Sequence, residues 1–267
     1  MSKLLKVWFI GDIFGSTGRN IVLKNYAKTV ETKEIDAVIV NGENSAGGFG
    51  ITPKIADEFF KLGIDVITTG NHIWSKKEIY DYINKTPALI RPANFAEGNP
   101  GNGFYTFEKR NVSISAINLI GKVFIPDSHC PFRKFDDIYL KIKNKSKIIL
   151  VDFHGEATSE KSAFAYYASG KAGAVVGTHT HIQTNDLKIL DDYTAFITDA
   201  GMTGPYDNSI IGVDKTLVLK KFLTGMPVKF ELAKCSKSQL NSVIITFDGE
   251  TGAATNIEHY NLIDVIK

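Results

Sequence analysis

The sequence contains little cysteine and no long hydrophobic run. Cys130 and Cys235 are the only cysteines among 267 residues, and neither belongs to a CxxC pair. This excludes a disulfide framework, argues against a thiolate metal site and favours a reducing compartment. The apolar run 4–13 is short, contains Asp12 and precedes no cleavage signal, and no other run is long enough to span a bilayer. We therefore expect a cytoplasmic protein without a membrane partner.

A strong charge of one sign is also lacking. The formal net charge of +2 does not favour a protein that coats nucleic acid or a membrane surface. The stretch GDIFGSTGR at positions 11–19 lacks the spacing of both GxGxxG and the Walker A loop, and no GxSxG elbow occurs. Neither a phosphate-cradling nucleotide loop nor a serine hydrolase of the elbow type is supported.

Apolar runs of strand length alternate with segments of helical period. Hydrophobic residues make up 43% of the chain and charged residues 22%, which is an ordinary globular balance. Buried strands are predicted at 4–11, 36–41, 65–69, 147–153 and 173–177, and helices at 20–30, 52–62, 76–84 and 159–168 follow the first four. No repeat or linker is visible. We expect an α/β fold in which residues 1–267 form one domain.

The remaining segments are predicted to add antiparallel and irregular pieces. A hairpin is expected from 104–107 and 112–118, and two strands at 242–247 and 255–260 are expected to close the chain. The stretch 121–135, which holds Pro126, Asp127 and Pro131, has no clear period and is predicted to be a long loop.

Residues able to bind a metal ion follow the end of each of the five buried strands. In chain order they are Asp12; Asn41, Glu43 and Asn44; Asn71 and His72; His154; and His179 and His181. The carboxyl ends of parallel strands form the ligand-binding edge of an open α/β sheet. If these strands are parallel, their polar residues converge on one rim.

The chemistry of these side chains also converges. Carboxylates, amides and imidazoles form a mixed oxygen and nitrogen ligand set, which suits Fe, Mn, Zn, Co or Ni. There are more candidates than one ion needs, and two ions about 3.5–4 Å apart can share a carboxylate and hold a bridging hydroxide. His72 lies beside Asn71 and can protonate a leaving oxygen without being a ligand.

Each residue also has a purely structural interpretation. Asp12 can cap a turn, Glu43 and Asn44 can be solvated turn residues, and His154 can be a satisfied buried histidine. In an extended segment His179 and His181 would share one face, but an HxH pair alone is moderate evidence. The joint pattern at every strand end favours the metal site.

The motifs resemble those of the calcineurin-like metallophosphoesterases, and more closely their YmdB-like branch, which hydrolyses phosphodiesters including 2′,3′-cyclic nucleotides. The stretches that carry the resemblance are FIGDIFGSTGR, VNGENSAGGFGIT, TGNHIW, DFHGEATSEK, VVGTHTHIQT and TDAGMTGP, and they span nearly the whole chain. The resemblance implies a layered α/β/β/α sandwich of two mixed sheets flanked by helices.

The resemblance also implies a role for each site residue. Asp12 and His181 would bind one metal ion with Asn44 close to it, and Glu43 would bridge the two ions. The second ion would be held by Asn71, His154 and His179. His72 would be the general acid.

Two positions depart from the wider superfamily in the way typical of this branch. Phe14 stands where a histidine ligand is usual, and Glu43 replaces the usual bridging aspartate. Two divalent ions are expected, iron or manganese by resemblance.

The expected reaction is attack of a metal-bridging hydroxide on a phosphodiester such as a 2′,3′-cyclic nucleotide, giving a nucleoside monophosphate. The alternatives are a phosphomonoesterase or nucleotidase, and a non-catalytic regulator that binds a nucleotide or RNA. RNA and a second copy of the chain are the other partners left open.

Overall fold

The computed structural model describes residues 4–125 and 128–266. Pro126 and Asp127, which belong to the predicted loop 121–135, lie outside the described residues. In chain order the strands are β1 Leu4–Ile10, β2 Ala37–Asn41, β3 Val66–Thr68, β4 Phe104–Lys109, β5 Val112–Ile120, β6 Ile148–His154, β7 Ala174–Thr178, β8 Lys188–Leu190, β9 Thr194–Ile197, β10 Gly204–Pro205, β11 Ser209–Ile210, β12 Val213–Asp214, β13 Lys237–Leu240, β14 Ser242–Asp248, β15 Ala254–His259 and β16 Leu262–Val265. The helices are α1 Gly15–Lys33, α2 Pro53–Leu62, α3 Ile79–Lys85, α4 Pro131–Ile142, α5 Thr158–Ala168 and α6 Lys215–Thr224, and a short 3₁₀ helix spans Ile73–Ser75.

The long strands form two mixed sheets. The first has the order β15–β14–β1–β2–β3, in which β1, β2 and β3 are parallel and β14 is antiparallel to both β1 and β15. The second has the order β4–β5–β6–β7–β9–β8, in which the four central strands are parallel and the two edge strands are antiparallel. All five strands predicted to end in polar residues are therefore parallel within their own sheet.

Side-chain alternation along β1 connects the layers. Phe9 points between the sheets and belongs to the buried cluster that contains Leu150 of β6. Its neighbour Trp8 points the other way, into a cluster with Val22 of α1 and Phe59 of α2. Helices α4 and α5 cover the outer face of the second sheet in the same manner. The layers run α/β/β/α, which confirms the predicted fold.

Helix α4 corrects the prediction of an irregular 121–135. The helix begins at Pro131, whose fixed φ suits the first helical position, and it buries Phe135, Ile138 and Ile142. These apolar residues are spaced by three and four positions. Most of this apolar period lies beyond residue 135, where the predicted loop ends. The stretch 121–135 therefore contains too little of the period to indicate a helix.

Two short strands near the carboxyl end also differ from the prediction. β13 reads KSQL and β16 reads LIDV, and β13 pairs with both β10 and β16 in a small sheet. Strands of four residues are too short to show the alternation that identifies a strand in a sequence. The predicted helix 76–84 begins later, at Ile79, after the 3₁₀ turn.

No helix within residues 4–125 and 128–266 is long and apolar enough to cross a bilayer.

Candidate metal centre

The structure brings the residues at the five strand ends together at one edge, where the parallel strands of both sheets terminate. Glu43, Asn44, His72, His179 and His181 line one pocket of about 290 Å³ there. Asp12 and His154 contact the lining of this pocket through His179 and Glu43, and Asn71 contacts His154. Because the strands terminate at a common level, residues distant in sequence become neighbours.

Three candidate ligand atoms surround Nε2 of His154 and form a group of four with it. This nitrogen lies 3.0 Å from Oε1 of Glu43, 3.0 Å from Oδ1 of Asn71 and 3.0 Å from Nδ1 of His179. A ring nitrogen carries at most one proton and cannot satisfy three such neighbours. Ligands held about 2.1 Å from a common metal ion would themselves lie about 3.0–3.4 Å apart. The group therefore has the spacing of a coordination sphere.

Asp12, Asn44 and His181 form the adjoining group. Asp12 is fully buried, and its Oδ1 has no hydrogen-bond partner among the described residues although it lies 3.9 Å from Nδ1 of His154. A buried carboxylate oxygen without a partner is costly, typically about 1–3 kcal/mol or more. Nε2 of His181 faces Oδ1 of Asn44 at 3.3 Å, and the charge of His181 acts on Asp12. These side chains therefore offer further oxygen and nitrogen ligand atoms beside the first group.

Each of the three clustered histidines has its other ring nitrogen tied to a hydrogen-bond acceptor. Nδ1 of His154 donates to Oγ1 of Thr178 at 2.9 Å, since the Thr178 hydroxyl itself donates to Asp152 at 2.7 Å. Nε2 of His179 donates to Oε2 of Glu156 at 3.0 Å. Nδ1 of His181 donates to the carbonyl of Ile211 at 3.0 Å. In each ring the other nitrogen faces the cluster, where its deprotonated form can bind a metal ion.

Asn41 differs from the other strand-end candidates because its side chain supports the site from behind. Its Nδ2 donates to Oδ2 of Asp152 at 3.0 Å, and its Oδ1 accepts from the backbone N of Glu43 at 3.2 Å. Asp152 also accepts from Thr68. This buried network orients His154 and was not identified from the sequence. Its only signal there is an acidic residue inside an otherwise apolar strand.

The structure differs from the expectation that His179 and His181 lie in an extended segment and share one face. β7 ends at Thr178, and His179 and His181 lie in a turn with φ values of 102° and 67° instead of in an extended segment. Non-glycine residues rarely adopt such positive φ values. Both imidazoles reach the cluster because of this turn and not because of strand alternation. Phe14 packs edge-on against His181, with ring centroids 5.6 Å apart.

The electrostatics of the cluster follow from burial. Burial raises the pKa of Asp12 to about 6, against the opposing effect of His181 and His154. Burial and the nearby His154 lower the pKa of His179 to about 3, so this imidazole is neutral and able to bind a metal ion. For His154 burial alone would lower the pKa, but the charge and hydrogen bond of Glu43 outweigh it and raise the pKa to about 9. Binding of a divalent cation displaces such a proton.

His72 differs from the three clustered histidines. Its backbone N donates to Oε2 of Glu43 at 3.1 Å, and its ring packs edge-on against Phe49 with centroids 5.0 Å apart. Neither ring nitrogen forms a hydrogen bond within residues 4–125 and 128–266. Burial lowers the pKa of His72 from its usual value. A half-buried imidazole without a hydrogen-bond partner, lining the pocket, can exchange a proton with a bound ligand.

A second pocket adjoins the first at His179. Its volume is about 530 Å³, and its lining includes Asn71, Trp74, Phe95 and Asn99. The ring centroids of Trp74 and Phe95 lie 6.4 Å apart. This pocket combines aromatic faces with side-chain amides, a composition suited to planar polar groups.

Comparison with known proteins gives a consistent result at the level of sequence and fold. The YmdB-like protein family matches residues 8–260. A protein of Bacillus subtilis (strain 168) named 2′,3′-cyclic-nucleotide 2′-phosphodiesterase is 46% identical over 97% of this chain and 98% of its own length.

Two solved structures share the fold. A hypothetical protein from Thermus thermophilus superposes with a TM-score of 0.90 and 36% identity, covering 97% of this chain and 100% of that one. A protein from Mycoplasma pneumoniae described as a novel phosphatase superposes with a TM-score of 0.93 and 34% identity, covering 99% and 95%. Because the family match spans residues 8–260 and the Bacillus subtilis relative aligns over 97% of this chain, the chain belongs to the YmdB-like family.

Proposed function

We propose that this chain is a metal-dependent phosphodiesterase that hydrolyses phosphodiesters such as 2′,3′-cyclic nucleotides to nucleoside monophosphates. The name of the Bacillus subtilis relative supports the reaction class. The observation that carries the proposal is the division among the four histidines of the site. Three imidazoles each have one nitrogen tied to an acceptor and turn the other toward the cluster, while neither ring nitrogen of His72 has a hydrogen-bond partner among the described residues. Metal ligands and a general acid need these two arrangements.

The proposed site holds two divalent ions. One would be held by Asn71, His154 and His179 and the other by Asp12, His181 and Asn44, with Glu43 shared between them. The donor set of oxygen and imidazole nitrogen suits iron or manganese and is also compatible with Zn, Co or Ni. When bound, the ions would neutralise the phosphate oxygens and lower the pKa of the attacking water.

The residues of the chain supply the remaining chemistry. In its protonated form His72 would give a proton to the leaving oxygen, since its ring lines the pocket that would hold the ester. Hydrogen bonding of its backbone N to Glu43 holds His72 next to the cluster. General acid catalysis matters most for a poor leaving group such as a ribose hydroxyl.

The second pocket would receive the base of the substrate. Trp74 follows His72 by two positions, and the pocket shares His179 with the cluster, so a base attached to the reacting ribose would lie within its reach. Aromatic rings stack on nucleobases of any sequence, and Asn99 can contact a base edge. The same pocket could accept the terminal base of an RNA.

Two broader expectations belong to the same proposal. Residues 1–267 would form one domain, and this is supported by the buried cluster to which both sheets contribute. A cytoplasmic location is supported by Cys130 and Cys235, which are both free cysteines.

The test is hydrolysis of 2′,3′-cAMP by metal-stripped protein, with and without added Mn²⁺ or Fe²⁺, alongside a simple phosphate monoester. We expect metal-dependent release of a nucleoside monophosphate and little monoester cleavage. Faster monoester cleavage would instead indicate a phosphomonoesterase. Absence of turnover with metal bound would indicate a regulator that binds nucleotide without hydrolysing it.

A further inference from the structure

A lysine is fully buried behind the turn that carries His179 and His181. Nζ of Lys161 in α5 lies 2.7 Å from Oδ2 of Asp199, and both residues are 0% exposed. The lysine stem passes Gly177 of β7, where a Cβ would lie 3.1 Å from Cδ of Lys161 and only 1.8 Å from the carbonyl oxygen of Thr198. Both ions of a buried pair must lose their water, and a well-packed hydrophobic pair would hold the layers at least as well. The pair therefore calls for a reason other than stability.

The remaining hydrogen bonds of Asp199 indicate that reason. Its Oδ2 accepts from the backbone N of Thr180 at 3.0 Å and from Oγ1 of Thr180 at 2.8 Å. Its Oδ1 accepts from the backbone N of Gly201 at 2.8 Å. Together with Lys161 these donors use the full capacity of a carboxylate. A hydrophobic pair could not accept any of them.

Thr180 is the residue between the two histidines. His179 and His181 have φ values of 102° and 67°, a backbone conformation that histidine adopts only when the surrounding structure imposes it. Asp12 holds one end of the turn by accepting from the backbone N of His179 at 3.1 Å. Asp199 holds its centre through Thr180. Without that contact the turn could relax and move both imidazoles.

We propose that Asp199, with Lys161 as its counter-charge, is a positioning residue that preorganises the His179–His181 turn for metal binding. The inference rests on the proposed metal centre. It also gives a role to Lys161, the last residue of the stretch DFHGEATSEK, and to Asp199, the second residue of the stretch TDAGMTGP.

The test measures the Mn²⁺ affinity of metal-stripped variants by isothermal titration calorimetry, together with their thermal unfolding. Thr180→Val removes the hydroxyl donor and leaves the ion pair intact, whereas Thr180→Ser keeps the hydroxyl. The double variant Lys161→Met/Asp199→Asn removes both charges without leaving a buried ion unpaired. Asp186→Asn is the matched control, because Asp186 also accepts hydrogen bonds from two threonines, Thr184 and Thr198, but holds no proposed ligand.

We expect the double variant to bind Mn²⁺ about 10–100-fold more weakly, as for other groups that orient metal ligands. Thr180→Val should show a smaller loss that Thr180→Ser restores, and Asp186→Asn should keep the wild-type affinity. If Thr180→Val and the double variant bind Mn²⁺ as tightly as wild type, the positioning role is wrong, whatever happens to thermal stability. Wild-type protein that binds no Mn²⁺ would overturn the proposed metal centre itself, so the two failures are distinguishable.

Discussion

The four histidines at the strand ends differ in what their second ring nitrogen contacts. His154, His179 and His181 each donate to a fixed acceptor and turn the other nitrogen toward the carboxylates and amides of the cluster. His72, which lines the same pocket, is held through its backbone, and its ring forms no hydrogen bond with the part of the chain that the structure describes. The difference separates side chains built to hold a cation from one built to move a proton. Substitutions in and around the cluster test whether metal binding and proton transfer depend on different histidines.

The largest effect is expected from loss of a clustered imidazole. His154→Ala removes the atom that lies 3.0 Å from three other candidate ligands. We expect metal affinity to fall by more than about 100-fold, beyond the loss seen for supporting residues, and hydrolysis to fall with it. The metal content of the variant after dialysis checks the loss of affinity, and its turnover as a function of Mn²⁺ concentration checks the loss of hydrolysis. A variant that retains metal and activity would exclude His154 as a ligand.

His72→Ala should reduce turnover while the metal remains bound. General acid catalysis contributes about 10²–10⁴-fold, so kcat for 2′,3′-cAMP should fall in that range. An ester with a good leaving group, such as bis(4-nitrophenyl) phosphate, should be affected much less because it needs no proton. Equal losses for both esters, or loss of bound metal, would contradict the role of His72.

The pocket beside His179 should affect nucleotide substrates alone. Trp74→Ala should raise KM for 2′,3′-cAMP by about 10-fold, since stacking of one base is worth about 1–3 kcal/mol. KM for bis(4-nitrophenyl) phosphate is the control and should change less, as its rings are not nucleobases. If Trp74→Ala leaves KM for the nucleotide unchanged, the base binds elsewhere.

Replacing the acceptor of His179 should have a moderate effect. Glu156→Ala leaves Nε2 of His179 without its partner at 3.0 Å. Because Glu156 is about half exposed and water can replace it, we expect a loss of Mn²⁺ affinity near the lower limit for supporting groups, about 10-fold. Glu160→Ala, in the same segment but bonded to the backbone of residues 122 and 123, should bind Mn²⁺ normally. If Glu156→Ala and Glu160→Ala bind Mn²⁺ equally tightly, the hydrogen bond from Nε2 of His179 to Glu156 does not contribute to metal binding.

The smallest effect concerns stability away from the cluster. Burial would raise the pKa of Asp186, but hydrogen bonds from Thr184 and Thr198 outweigh it and lower the pKa in the folded protein. A lowered folded pKa stabilises the protein above the unfolded value, about 3.9, and this contribution is lost as pH falls through the folded pKa. Asp186→Asn should therefore flatten the pH dependence of the unfolding free energy below about pH 4. Chemical denaturation at several pH values checks this, and an unchanged slope would contradict it.

The residues of the cluster could be anticipated because strand ends are visible in a sequence. Apolar runs that stop at Asp12, Glu43, Asn71 and His154 predict one edge once the strands are assumed to be parallel. The separate role of His72 was predicted from its place beside Asn71, but the hydrogen-bond acceptors of the other histidines, such as Glu156 for His179, lie in other segments and were not predicted. The arrangement in two packed sheets was predicted from the family resemblance and not from periodicity.

The supporting layer was missed for different physical reasons. Lys161 occupies a buried position with Phe164, Ala165 and Ala168, the spacing of an apolar helix face, so a charged residue there does signal a buried partner. Asp199 follows the strand β9 just as the candidate ligands follow theirs, but its role is defined by contacts with Lys161 and Thr180 that only the fold creates. The helix α4 was missed because its apolar period begins inside a stretch rich in proline and aromatics.

In the proposed function, the cluster of carboxylates and imidazoles binds catalytic divalent ions. The most direct measurement is titration of metal-stripped protein with Mn²⁺, following bound metal and 2′,3′-cAMP hydrolysis in the same samples. We predict that the stripped protein is inactive and that activity rises in step with bound metal until two ions are held per chain. Full activity before any metal is added, or saturable metal binding that His154→Ala does not weaken, would contradict the account.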